Sequence, residues 1–244
     1  MSTLLVPVAP LLNTKTRLRN CFSREQLKDL TIAMFRDMGN ILVEVNCFEN
    51  IIVYCNTSEI LELAEEYGLI GIKEVLQDPP KSFDEIIYDF NKVAIEEFNA
   101  EQTTLAFLDL ILIASKNFVE INDLLLQNQL VVCPAIHSAG ISILGRNPPN
   151  ILPSSFSDPN TPSLVALLNN ASNIGLKKIV IYDSFRAGYD IDIKQDLVVA
   201  YEYLKIFNLT HTEVFKFLKN NLKFTLKKKD INNNRTFEIL DKMD

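Results

Sequence analysis

One stretch limits the folds open to this chain more than any other. Thr103–Leu110 reads TTLAFLDL, apolar with no alternation until Asp109. A strand that is apolar on both faces has to be covered on both faces, as in a parallel sheet flanked by helices. The longest apolar run, Leu105–Ala114, also holds Asp109 and is too short to cross a bilayer, which takes about 20 residues.

The rest of the chain supplies the covering. Leu4–Val8 reads as a short buried strand. Ser23 and Gln26 form a capping box, and Leu27, Leu30, Met34 and Met38 repeat behind it at helical spacing. Ile51–Cys55 reads as a strand and Ser58–Tyr67 as a helix. Ser82 and Glu85 form a second capping box, with Ile87, Phe90, Ala94 and Phe98 as the apolar stripe. A helix over Asn117–Gln127 leads to a strand at Leu130–Cys133. Residues 135–162 carry Pro148, Pro149, Pro153, Pro159 and Pro162 and read as loop. A helix over Ser163–Ser172 precedes the strand Lys178–Tyr182. A further helix turns Leu197, Tyr201 and Leu204 inward, and Thr210 with Glu213 reads as another capping box.

Strand alternating with helix predicts an α/β three-layer sandwich with a mostly parallel central sheet. No repeat or linker interrupts it, so residues 1–226 are expected to form a single domain and 227–244 a polar tail that frays.

Charge narrows the function classes. With 24 basic and 31 acidic residues the net charge is −7, so no nucleic-acid coat is expected. The start, MSTLLVPVAPLL, lacks a positive region and a small-residue cleavage site. Cys21, Cys47, Cys55 and Cys133 show neither a CxxC pair nor ligand spacing. The expectation is a reduced cytoplasmic protein with no membrane association.

The chemistry lies in the carboxylates. Asp109, at the end of the most apolar strand, costs several kcal/mol to desolvate unless it is paired or binds a cation. In open parallel sheets the strand C-termini form the ligand crevice, which makes Asp109 a candidate metal ligand. The alternative is a carboxylate that caps the next helix or reaches solvent. Asp190-Ile191-Asp192 places two carboxylates on one side of an extended segment, where they can face one Mg²⁺. Asp192 with Gln195 also fits a helix N-cap. Lys15 and Arg17 follow the first strand and can grip phosphate. The first glycine is Gly39, so no P-loop or dinucleotide fingerprint follows that strand. His137 reads as a surface residue.

In their order these segments resemble the 2-phospho-L-lactate guanylyltransferases of coenzyme F-420 biosynthesis. They are more distantly similar to other nucleotidyltransferases with a GT-A-like sheet. VPVAPLLNTKTRL is similar to that family's opening and keeps Lys15 and Arg17, with Ala9 where the family has Lys. Phe90-Asn91 resembles its Leu-Asn pair, LAFLDLILIA its strand ending in Asp, and IYDSFRAGYDIDIKQDL its D-I-D-x-x-x-D-L segment. The resemblance covers Leu4 to Leu226. It implies a nucleotidyltransferase fold with GTP as substrate, and transfer of GMP to the phosphate of a small phospho-hydroxy acid with release of pyrophosphate. It further implies Mg²⁺ held by Asp109, Asp190 and Asp192, phosphate contacts from Lys15 and Arg17, nucleotide contact from Asn91 and acceptor contact from Ser163. A homodimer is left open.

Two stretches depart from the family. Residues 139–144 lack its Thr and Asn, and residues 156–167 keep Ser163 but carry Leu164 and Leu167 where it has Phe and His. A catalytically altered nucleotide-binding homologue, or a sugar-phosphate or molybdopterin-type nucleotidyltransferase, is the alternative reading.

Overall fold

The computed structural model describes residues 1–11, 14–228 and 235–241. Strand β1 (Ser2–Pro7) runs through the middle of a seven-stranded sheet. Its Leu4, Leu5 and Val6 are all fully buried. Successive side chains of a strand point to opposite faces, and here Leu4 and Val6 enter one apolar cluster while Leu5 enters the other.

β2 (Asn50–Cys55) and β4 (Gln102–Ala106) flank β1 in parallel, and β3 (Ile70–Lys73) extends the sheet beyond β2. On the other side β6 (Ile141–Arg146) lies antiparallel between β4 and β5 (Leu130–Pro134), and β7 (Ile179–Ile181) runs parallel to β5. The order is β3-β2-β1-β4-β6-β5-β7, a mostly parallel sheet as anticipated.

Helices cover both faces. The larger cluster joins Leu4 and Val6 to α1 (Arg24–Leu42), α2 (Ser58–Glu66), α4 (Ser115–Gln127), α7 (Lys194–Ile206) and α8 (Glu213–Asn221) through Phe35, Ile60, Phe118, Leu197 and Leu218. The smaller joins Leu5 and Leu105 to α3 (Phe83–Phe98) and α5 (Ser163–Asn173) through Phe90 and Leu167. The capping boxes at Ser23 and Ser82 are both formed. The cap of α8 is Thr212 instead of Thr210, and the carboxylate of Asp37 accepts hydrogen bonds from the Glu213 and Val214 amides, 2.8 Å each.

Three expectations need correction. The segment 135–162 is not all loop, because β6 lies within it. Ile141, Ile143 and Leu144 fill buried sheet positions between two neighbours, while the prolines all follow the strand. The apolar strand ends at Ala106, and Leu110 to Ile113 are buried in turns; apolar composition alone cannot separate a strand from a buried turn. Finally, β8 (Leu222–Lys228) and β9 (Arg235–Asp241) pair as a separate antiparallel ribbon, where a frayed tail was expected.

The short helix α6 (Phe185–Gly188) brings the chain back onto β5 just before Asp190. Gly188 is required there: its carbonyl accepts from the Ile136 amide at 2.9 Å, and an added Cβ would sit 2.5 Å from the Pro134 carbonyl oxygen. Gly188→Ala is therefore expected to destabilise the fold by about 1–3 kcal/mol in urea unfolding; an unchanged midpoint would refute this packing.

Candidate active site

A cavity of about 720 Å³ opens where β1, β2, β3 and β4 end. The ligand crevice of an open α/β sheet lies at these strand termini. After β1 the chain turns through Lys15, which adopts left-handed backbone angles (φ 46°, ψ 42°), into a short 3-10 helix, Thr16–Leu18. After β4 a turn carries Asp109 to the same rim. From the far side of the sheet, the segment after α6 delivers Asp190 and Asp192.

Asp109 and Asp192 meet at Lys15, whereas Asp190 is not in the lining of the cavity. The Lys15 Nζ donates to Asp109 Oδ2 at 2.5 Å, to the Ile191 carbonyl at 2.6 Å and to Asp192 Oδ1 at 3.4 Å. Arg17 Nη1 reaches Asp192 Oδ2 at 2.9 Å. Burial pulls the Lys15 pKa down, but the charges of Asp109 and Asp192 outweigh it and the net shift is upward. Lys15 is thus held as a cation. Its pairing with Asp109 is well shielded, whereas Arg17 is largely exposed, so the Arg17–Asp192 pair contributes little to stability.

Asp190 behaves differently. Burial, followed by the nearby charges of Asp109 and Asp192, pushes its carboxyl up to about 6, with Lys15 opposing. Asp109 Oδ1 is buried without a hydrogen-bond partner among the described residues. An orphaned carboxylate oxygen and a carboxyl crowded by two like charges are both relieved by a hard cation, so the donor chemistry fits Mg²⁺. Among the described residues, however, no three His, Cys, Asp or Glu side chains form a ready-made metal cage. The positive charge lying between Asp109 and Asp192 is the Lys15 ammonium.

The D-x-D segment is held by a residue the helix-cap reading overlooked. Asp196 is 1% exposed, and its Oδ2 accepts from the amides of Asp192 and Ile193 at 2.7 and 2.8 Å. Its Oδ1 meets His137 Nδ1 at 2.7 Å. The buried Tyr189 hydroxyl donates to the Asp196 carbonyl at 2.6 Å. The N-cap of α7 is accordingly Ile193, with Asp196 closing back on it, and not Asp192 with Gln195. The D-x-x-x-D-L spacing was the available signal for Asp196. Nothing local marked His137, whose partner is distant in sequence.

Two candidates stand elsewhere. Asn91 is a buried residue of α3 and spends its amide inward: Oδ1 accepts from Thr103 Oγ1 at 2.8 Å and Arg146 Nη2 at 3.0 Å, and Nδ2 donates to the Pro149 carbonyl at 3.2 Å. It does not line the large cavity. Burial pulls the Arg146 pKa down to about 10. Ser163 is the first residue of α5, and the amide of its neighbour Leu164 is tied to the Ala139 carbonyl at 3.0 Å. It too lies outside that cavity lining.

With this geometry in place, comparison with known proteins adds the relatives. Residues 2–238 match a family described as "Guanylyl transferase CofC like". The chain is 27% identical over 193 residues to a 2-phospho-L-lactate guanylyltransferase of Methanocaldococcus vulcanius, covering 79% of this chain and 81% of the relative. It is 26% identical over 194 residues to the protein of the same name from Methanocaldococcus jannaschii, covering 79% of each. In fold it is similar to a solved chain assigned to the nucleotide-diphospho-sugar transferases from Desulfovibrio desulfuricans (TM-score 0.72, 14% identity, 89% of this chain and 94% of that one). A cytidylyltransferase from Leptospira borgpetersenii gives a TM-score of 0.54 at 16% identity, covering 92% and 99%.

The crowded Asp190 has a thermodynamic signature. Its carboxyl lies at about 6 in the fold against an ordinary 3.8, so the folded state binds the proton more tightly than the unfolded one. Stability then falls as pH rises between these values, and the cost persists above them. In chelator, Asp190→Asn is expected to raise stability at pH 7.5 by about 1–2 kcal/mol after solvent screening, with little gain at pH 4. A destabilised variant at pH 7.5 would contradict this.

Proposed function

We propose a function from one premise: the chain belongs to the CofC-like guanylyl transferase family. Nucleotidyl transfer is the chemistry its relatives' names and its fold have in common. The specific reaction we infer is transfer of GMP from GTP to the phosphate of a small phospho-hydroxy acid, 2-phospho-L-lactate or a relative such as phosphoenolpyruvate.

A phosphate oxygen of the acceptor attacks the α-phosphorus of GTP. The bond from the α-phosphorus to the oxygen bridging to the β-phosphorus breaks, and pyrophosphate leaves with that electron pair. The nucleophile is already an anion, so no base has to take a proton from it. The difficulty is bringing two like-charged phosphates together in line, and catalysis is therefore alignment and charge neutralisation.

The observation that carries this reading is the Lys15 ammonium, held charged between Asp109 and Asp192 at the mouth of a nucleotide-sized cavity. Lys15 and Arg17 meet phosphate oxygens from the β1 side. Asp109, Asp190 and Asp192 would hold Mg²⁺, which when bound supplies Lewis-acid screening of the phosphates. Asp196 fixes the D-x-D backbone, and an acceptor contact from Ser163, which stands outside the lining of the large cavity, rests on the family resemblance alone. A nucleotide contact from Asn91 likewise rests on the resemblance, since its amide is bonded to Thr103, Arg146 and Pro149 away from that cavity.

A pyrophosphate-release assay crossing GTP, ATP, CTP and UTP with several phospho-acids tests the reading. The wild type is expected to turn over GTP with one of the acids. Asp190→Ala is expected to lower the rate by at least about 10²-fold, with an unchanged circular dichroism spectrum. Wild-type turnover by Asp190→Ala would remove the assignment.

A further inference from the structure

The cavity has a second end, away from the carboxylates. Glu74 follows β3, and β3 lies three strand spacings, about 14 Å, across the sheet from β4, which carries Asp109. Side chains reaching inward from those two strands narrow this span, so a nucleotide whose α-phosphate lies near Asp109 can extend its base toward the β3 end. The wall there is largely apolar, formed by Val75, Leu76, Phe83 and Ile86, with Asn56, Glu74, Gln77 and Lys81 as polar members. Val75 and Leu76 are largely exposed for such apolar residues, at 71% and 65%, which suits a surface that a base would cover.

Glu74 is fixed by its backbone, whose amide donates to the Cys55 carbonyl at 3.0 Å. Its carboxylate makes no hydrogen bond among the described residues, although the side chain is half-buried and lines the cavity. The nearby Lys81 is already engaged by Asp89. Burial raises the Glu74 pKa and Lys81 draws it back. A half-buried carboxylate without a donor, set in an apolar slot, is complementary to a ligand that brings its own donors.

We propose that Glu74 is the specificity residue that reads guanine, its two carboxylate oxygens accepting the N1–H and the N2 amino group. This rests on the guanylyl-transfer reading above. Guanine presents those two donors side by side. Adenine and cytosine present a bare ring nitrogen at the corresponding place, which a carboxylate repels. Asn56 lines the same end and offers an amide that can serve guanine O6.

The test compares wild-type protein with Glu74→Gln and Glu74→Leu, using pyrophosphate release and equilibrium binding of GTP, ITP and ATP. ITP is the analogue of GTP whose base lacks the N2 amine. The wild type is expected to prefer GTP over ITP about tenfold or more, and Glu74→Leu to lose that preference through KM with kcat little changed. Glu74→Gln keeps the shape and one acceptor and is expected to fall between. A GTP-over-ITP ratio that survives in Glu74→Leu overturns the assignment, as does a wild type that binds ATP as tightly as GTP. If the wild type releases no pyrophosphate with any acceptor, the guanylyl-transfer reading fails separately. The binding ratios still decide Glu74, loss of GTP selectivity in the variants supporting it and equal ratios overturning it.

Discussion

The site depends on one partly buried ion-pair network: a lysine ammonium bonded to Asp109 Oδ2, to the Ile191 carbonyl and to Asp192 Oδ1. Its members come from sequence positions separated by more than 90 and by more than 170 residues, so it forms only when the whole sheet is assembled. Removing charges from water is costly, and a buried pair repays that cost only where its geometry and additional hydrogen bonds are good. The third bond, to a backbone carbonyl, gives Lys15 a hold on the D-x-D segment that does not depend on either carboxylate.

The architecture makes this arrangement reachable. Parallel strands β1 and β4 lie side by side, so the loops that leave their C-terminal ends emerge on the same edge. Asp109 and Lys15 are therefore neighbours by topology. The D-x-D segment has no such guarantee, and the protein adds dedicated supports. Gly188 allows close approach to β5, Tyr189 and Ile191 anchor in the core on either side of Asp190, and Asp196 ties down the amides of Asp192 and Ile193. The result is acidic groups kept close together against their mutual repulsion, balanced by cations at one side. Such a surface suits a ligand that brings negative phosphate together with a divalent cation.

Much of this was legible in the residues. The doubly apolar strand called for a covered parallel sheet, and the Ser23 and Ser82 boxes marked helix starts because capping is a local interaction between residues three apart. Asp109 stood out because a carboxylate in an apolar run demands a partner. Other features depended on distant contacts and were not legible. β6 is a strand because β4 and β5 flank it, not because of its own pattern, and β3 is a four-residue edge strand with little periodicity to read. Asn91 looked like a ligand contact, yet its amide is committed to Thr103, Arg146 and Pro149, residues whose proximity only the fold determines. His137 found its partner in Asp196, far along the chain, and Glu74 had no motif at all to single it out.

The most direct test of the account is a double-mutant cycle on Lys15→Met and Asp109→Asn, read as unfolding free energy in chelator at neutral pH. If the Lys15 ammonium and Asp109 form the shielded pair described, each single change strands a charge, and the double variant recovers part of the loss. The expected coupling is about 2 kcal/mol. Additive losses, with coupling below about 0.5 kcal/mol, would mean that the two side chains do not depend on each other, and the proposed organisation of the site would be wrong.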